Sequence, residues 1–273
     1  FQTKEYKEFS FGKPKLTFSL SEEEKGKELL KRMGISDKNW FICFHARDSK
    51  YLEKSLSSMD TSYHDFRDCD IKNYLKAAKY ISSQGGYAIR MGSIVKDKLQ
   101  ESNNKKIIDY AAKFRTDFGD IYLSAKCKFF LVNNAGINLV SQIFNVPNAQ
   151  ANIIPLKYPP LRIDNIFIPK KIWSLKMRRF LTFKEIINRG IADYDYKEQY
   201  NKDDLIPMEN TAEEILELAI EMNEKLDGKF KYTKNDEILQ NKFKSILNKH
   251  HHCRGFLSRI GTMFLRKNKE LLK

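Results

Sequence analysis

WFICFHARDSKYL, residues 40 to 52, passes from five consecutive apolar side chains (Trp40, Phe41, Ile42, Cys43 and Phe44) directly into His45, Arg47 and Asp48. A short apolar run of this kind is a strand buried on both faces, and its abrupt polar end is a loop. In an open parallel sheet, ligands bind beyond the carboxyl ends of the strands, so an imidazole and a guanidinium placed there can face an anion.

The segments around this stretch repeat the same alternation. Asp70 is a good N-cap for a helix over Ile71 to Ser83, with Ile71, Tyr74, Leu75, Ala78 and Ile81 as its apolar face, and Gly85 and Gly86 stop it. YAIRM, residues 87 to 91, is a second strand ended by Gly92. Strand, helix and strand in succession make a parallel, right-handed unit. Further on, Ile107 to Tyr110 reads as a strand, Asp117 to Ala125 as a helix, and KFFLV (128 to 132) as a buried strand. Asn133-Asn134-Ala135-Gly136 is then a tight loop, Ile137 to Phe144 a helix, and NIIPL (152 to 156) a last strand. The fold class expected is therefore α/β, a Rossmann-like doubly wound parallel sheet.

The flanking segments read differently. Residues 1 to 20 place Phe9, Phe11, Leu16, Phe18 and Leu20 at mostly even spacing, the pattern of an extended lead-in, and Ser21 with Glu24 is a capping box for a helix closed by Gly34. Residues 1 to 39 are thus a lead-in linker and helix. Because Phe1 rather than Met opens the chain, a leader, tag or preceding domain is expected upstream. From about residue 157 the texture turns helical: Thr182 with Glu185 and Thr211 with Glu214 open helices near 183 to 189 and 212 to 226, and helical patterns cover 235 to 249 and 256 to 272. Residues 40 to 168 then form the Rossmann-like domain, and 169 to 273 a helical extension packed on it.

Composition narrows the class without choosing a function. In 273 residues, 41% are hydrophobic, enough for a substantial core, and no apolar run approaches the roughly 20 residues of a membrane span. A net charge of +14 attracts polyanions, anionic membrane surfaces or phosphorylated substrates. Lys-, Asn- and Ile-rich usage is also what an AT-rich genome produces, so the charge alone is no argument for nucleic acid. Cys43, Cys69, Cys127 and Cys253 lie far apart with no C-x-x-C pair, the pattern of reduced thiols in a cytosolic protein.

Several constellations could carry chemistry. Arg47 offers the planar fork that suits a diphosphate, or else a structural pair with Asp48 or Asp70. Asn133, Asn134, Ala135 and Gly136 are small enough to let a phosphate approach the backbone at a helix amino end, though neither G-x-G-x-x-G nor a P-loop occurs. Arg90 closes its strand on the same edge as a second phosphate contact or a salt bridge. Tyr63-His64-Asp65-Phe66-Arg67-Asp68 carries an imidazole beside an acid, as a general base requires. The D-x-D triplets Asp68-Cys69-Asp70 and Asp193-Tyr194-Asp195 suggest magnesium ligands, but Asp70 is better explained as a cap. His250-His251-His252-Cys253 are consecutive, so their side chains diverge, and no metal site is expected. Arg254 to Lys273 is either an interfacial basic helix or a stripe packed on the core.

FHARDSKYL, YHDFRDCDI, IRMG, the Asp117 helix, KFFLVNNAGI and the ending LSRIGTMFL together resemble a family of bacterial glycosyltransferases linked to surface polysaccharide synthesis, over roughly residues 15 to 268. More distantly, His45-Ala46-Arg47 is similar to the H-x-R motif of fucosyltransferases with the GT-B fold, and the Asp117 helix, strand and small-residue loop are similar to their later donor-site motif. That loop is usually Ser-rich there and is Asn133-Asn134-Ala135-Gly136 here. The resemblance implies a GT-B donor half without an obligatory metal or cofactor, with the nucleotide-sugar, a GDP-sugar favoured, as co-substrate. Donor contacts would be Arg47, Arg90, Asp117 and Asn133 to Gly136, and His45, Asp48, His64 and Asp65 would be the catalytic candidates. It further implies transfer to a hydroxyl of a surface glycan or lipid-linked precursor, in the cytoplasm or at the inner membrane face through the basic surface. The rival readings are a GT-B-like sugar-nucleotide epimerase and a non-catalytic polyanion or nucleic-acid binding protein.

Overall fold

Short apolar runs, each followed by glycine or a polar loop, build the central sheet. The computed structural model describes residues 2–14, 16–55, 60–99 and 103–273. The strands are β1 (Phe41–His45), β2 (Tyr87–Arg90), β3 (Ile107–Asp109), β4 (Phe130–Val132), β5 (Asn148–Ile153) and β6 (Ile166–Pro169). Next come β7 (Lys171–Ser174), β8 (Arg179–Phe180) and β9 (Leu205–Met208), then β10 (Arg259–Ile260). Seven strands form one parallel sheet in the order β10-β6-β5-β4-β1-β2-β3. From β3 inward this is the doubly wound 3-2-1-4-5-6 order, in which the chain reverses direction across the sheet between β1 and β4. Their register aligns His45 with Val132, so the two polar loops leave the sheet side by side.

Alternate side chains point to opposite faces of a strand, and both faces here are apolar. Ile42, Phe44, Ala88, Leu131, Ala149 and Ile166 belong to one core, beneath the helices Leu75–Ser83 and Ala212–Leu226. Phe41, Cys43, Ile89, Phe130 and Val132 belong to the other, beneath Leu20–Arg32 and Asp117–Lys126. The four cysteines are buried and free. Among the described residues no helix is long and apolar enough to cross a membrane.

The strands around residues 41, 87, 107 and 130 stand where expected, and the Asp117 helix begins at its expected residue. Asp70 caps as expected, its Oδ1 accepting from the Lys72 N–H at 2.8 Å, but the segment it opens is a 3-10 turn, Ile71–Tyr74, and the α-helix runs only over Leu75–Ser83. Gly34 closes its helix at φ +77, with the N–H groups of Gly34 and Ile35 donating to Lys31 and Leu30.

Five expectations are corrected. Gln2–Phe11 is helical rather than extended: its Lys and Glu are good helix formers, and the even spacing of Phe9 and Phe11 is incidental, Phe11 being exposed. The capping box is Ser19 with Glu22, two residues before the Ser21 and Glu24 pair. The last strand of the run is Asn148–Ile153, four residues upstream of NIIPL, because the buried amides of Asn148 and Asn152 are hydrogen-bonded and so tolerate the interior. Residues 169 to 273 contain strands as well as helices: β7, β8 and β9 make an antiparallel sheet, and β10 returns to pair with β6 in the main one. Finally, 256 to 272 is not one amphipathic helix. It is β10, the helix Thr262–Lys267 and a 3-10 turn, and Phe256, Ile260, Phe264, Leu271 and Leu272 are core residues.

Candidate functional site at the sheet's switch point

Beyond the carboxyl ends of β1, β2 and β4 lies a cavity of about 610 Å³ whose wall carries the guanidinium groups of Arg47, Arg67 and Arg115, the imidazoles of His45 and His64, and the carboxylates of Asp48 and Asp120. Tyr51 and small or aliphatic residues, among them Ala135, Gly136, Ile137 and Val140, form the rest. Seven side-chain atoms among the described residues are buried without a hydrogen-bond partner, and three of them, His64 Nδ1, Arg67 Nε and Asp120 Oδ1, belong to this wall. Unpaired buried polar atoms cost about 1–3 kcal/mol each, so their concentration here marks a site shaped for something other than stability.

At the end of β1 the three motif residues do different work. His45 Nδ1 lies 3.0 Å from the Met91 carbonyl, so that nitrogen carries the proton and donates. Burial pushes the imidazole below its ordinary pKa, against the opposing pull of that carbonyl, which leaves Nε2 as a neutral acceptor. Arg47 is ion-paired with Asp68 and donates to the His64 carbonyl at 3.2 Å; Asp48 and Asp70, the partners expected for it, do not take that role. Asp48 accepts from the backbone N–H groups of Lys50 (3.0 Å) and Lys96 (3.1 Å). Its carboxylate therefore ties two loops together, a structural duty.

The 3-10 helix Ser62–Arg67 separates the residues grouped as one base candidate. His64 faces the cavity with neither ring nitrogen hydrogen-bonded to protein, and burial followed by the Arg67 and Arg47 charges lowers its pKa, so it is a neutral imidazole. Asp65 lies outside this cavity and pairs with Lys197 at 3.6 Å. Arg67 donates from one terminal nitrogen to the Asn134 carbonyl at 2.8 Å, leaving its Nε unpaired. Asp68, beneath Arg47, has its pKa raised to about 6 by burial, over the opposing Arg47 charge.

The small-residue loop divides likewise. Asn133, fully buried, is a brace: its Oδ1 accepts from the Arg47 N–H at 3.1 Å and its Nδ2 donates to the Arg67 carbonyl at 3.3 Å. Asn134 anchors Arg67 through its carbonyl, while Ala135 and Gly136 form open wall; a Cβ at Gly136 would meet nothing within 4 Å. Gly92, opposite, is required by its backbone. Its φ is +152, and a Cβ there would come within 2.7 Å of Val95.

Two expected donor contacts are corrected. Arg90 is 2% exposed and does not reach this cavity; its guanidinium donates to the Asp97 carbonyl at 2.6 Å and pairs with Asp109 at 3.4 Å. The parallel register places it beside Asp109, which makes it a buried structural ion pair holding the loop after β2. Asp117 is at the exposed start of its helix, paired with Arg115. One turn on, Asp120 takes its place in the wall, its Oδ2 accepting from Arg115 Nε at 3.1 Å. Arg67, Arg115 and Asp120 were therefore missed; i to i+3 spacing from Asp117 was the signal available for Asp120.

Two of the remaining metal candidates pair with each other, and a third with a lysine. Asp193 accepts from His250 Nε2 at 2.9 Å, and Asp195 pairs with Lys157 at 2.7 Å. Among the described residues no group of three or more His, Cys, Asp or Glu is placed to hold a metal ion. No protein-family model, curated protein or solved structure matches this chain.

Proposed function

We propose that the chain is a glycosyltransferase whose switch-point cavity holds the diphosphate of a nucleotide-sugar. The observation that carries this reading is the convergence of Arg47, Arg67 and Arg115 on one cavity beyond β1 and β4. Guanidinium groups bind phosphate oxygens by paired charge-assisted hydrogen bonds, and about 610 Å³ lies within the roughly 300–1,000 Å³ usual for small-molecule sites.

In the reaction an acceptor hydroxyl oxygen bonds to the anomeric carbon as the bond from that carbon to the diphosphate breaks. The electron pair leaves with the nucleoside diphosphate, where the guanidinium groups take up its charge. The hydroxyl proton passes to a base. His64 suits that task better than Asp48 or Asp65, being neutral, free of hydrogen bonds and in the wall. The acceptor is a surface glycan or its lipid-linked precursor, reached in the cytoplasm or at the inner membrane face, where the +14 charge favours an anionic surface.

Calorimetric titration with GDP, UDP, CMP and inorganic phosphate tests the reading. A nucleoside diphosphate binding at least tenfold more tightly than phosphate supports it. If oligonucleotides bind with steep salt dependence and mononucleotides no better than phosphate, the chain is a polyanion-binding protein instead.

A further inference from the structure

The helix Ile137–Ile143 buries Asn138, Ser141 and Gln142, which hydrogen-bond to Asn148 of β5 and to Asn165 just before β6. Asn148 Oδ1 accepts from Ser141 at 2.7 Å and its Nδ2 donates to the Asn138 carbonyl at 3.0 Å. Asn165 donates to Gln142 Oε1 at 3.1 Å, and Gln142 donates to Asn138 Oδ1 at 3.3 Å. The side-chain amide of Gln150 and Nδ2 of Asn138 face a cavity rather than a protein partner, although the residues themselves are only 3% and 5% exposed. Both line a second cavity, of about 410 Å³, walled by Tyr158, Pro159, Pro160 and Leu161.

That cavity is the far end of a trough. It shares Asn134 and Tyr158 with a middle cavity of about 370 Å³, which in turn shares His64 and Arg67 with the arginine-lined cavity. The Lys157 ammonium, in the far wall, is compensated by Asp195 at 2.7 Å. The trough thus begins at three guanidinium groups, passes the His64 imidazole and ends on the amides of Gln150 and Asn138 beside a half-exposed tyrosine ring.

We infer that the far and middle cavities are the acceptor subsite, and that their occupant is an uncharged segment of glycan. This rests on the proposal that the arginine-lined cavity takes the donor. Sugar hydroxyls donate and accept at once, as free Asn and Gln amides require, and the apolar face of a pyranose fits against Tyr158 and the prolines. An amide that faces a cavity rather than a protein partner is free to meet a ligand's hydroxyls, which gives Gln150 a reason to be glutamine. The arrangement also places His64 where donor and acceptor join, so the acceptor hydroxyl reaches the base without crossing the diphosphate.

The experiment is binding to an array of bacterial oligosaccharides, with and without GDP and UDP, for the wild-type chain, Gln150→Leu and Tyr158→Ala, with calorimetry of GDP and UDP on the same proteins. The expected result is wild-type binding to a set of neutral glycans, weakened about tenfold or more in both variants, with nucleotide affinity unchanged. Gln150→Leu removes an amide that no protein group hydrogen-bonds, so its melting temperature should not fall; should it fail to fold, the half-exposed Tyr158 carries the test. Absence of glycan binding, or binding equal in wild type and variants, overturns the inference. Loss of nucleotide affinity in the variants also overturns it and assigns the trough to the donor. Glycan binding sensitive to both substitutions, with no nucleotide bound by the wild type, upholds this subsite and refutes the donor reading alone.

Discussion

Replacing Arg67 by leucine separates a ligand-binding arginine from a structural one. In the folded chain its guanidinium makes one hydrogen bond, to the Asn134 carbonyl at 2.8 Å, while its Nε is buried without a partner and the neighbouring Arg47 and burial both depress its pKa. Losing that charge-assisted bond costs about 1.5–3 kcal/mol, and removing a desolvated charge beside a like charge offsets part of it. Stability in urea should therefore stay within about 2 kcal/mol of wild type. A charge-assisted hydrogen bond to phosphate is worth about 1.5–3 kcal/mol, so the Kd for a nucleoside diphosphate should rise about 10- to 150-fold. Calorimetry and urea denaturation on the same preparation measure both. An unchanged Kd with a loss of several kcal/mol in stability would refute the reasoning and make Arg67 a brace for the Asn133–Gly136 loop.

The companion predictions run in other directions. Arg90→Met should cost about 3–5 kcal/mol of stability in chemical denaturation, because it leaves Asp109 buried without its cation; nucleotide affinity of the folded fraction should be unchanged, and the opposite pattern would restore Arg90 to the donor site. Asp68, with a pKa of about 6, is ionised at neutral pH and neutral below 6. Because the folded value lies above the ordinary carboxylate value, the native state binds this proton more tightly, and the group's contribution to stability grows as pH falls through 6. Protonation also frees Arg47, so affinity for an intact nucleotide-sugar should rise about tenfold from pH 7 to 5; Asp68→Asn should flatten that rise, and an equal slope in the variant would exclude Asp68 as its source. His64→Ala should lower the rate of sugar transfer about 10²- to 10⁴-fold, whereas Asp65→Ala, removing a surface ion pair, should leave it nearly unchanged; comparable losses in both would disprove the assignment of the base.

The fold was legible where side-chain period and burial agree. Trp40 to Phe44, YAIRM and KFFLV are apolar on both faces, and nothing but a covered parallel sheet accommodates them. β5 was misplaced because Asn148, Gln150 and Asn152 look like loop residues until the amide layer that hides them is known. β10 escaped notice because two residues carry no period; its strand exists because β6 offers an edge. At the site, the sequence located the two loops at the switch point, but direction within a loop depends on tertiary partners. Arg47 and Arg90 read alike at strand ends, yet the register sets Asp109 beside Arg90 and turns it inward. Asp65 and Arg67 lie in the same 3-10 helix, which sends one to Lys197 and the other to the cavity.

A crystal structure of the chain with a nucleoside diphosphate decides whether the switch-point cavity is the donor site. Phosphate density is expected beyond β1 and β4, within hydrogen-bond distance of Arg67 and of Arg47 or Arg115. Density confined to another surface, or an empty cavity at saturating nucleotide, would contradict the donor reading.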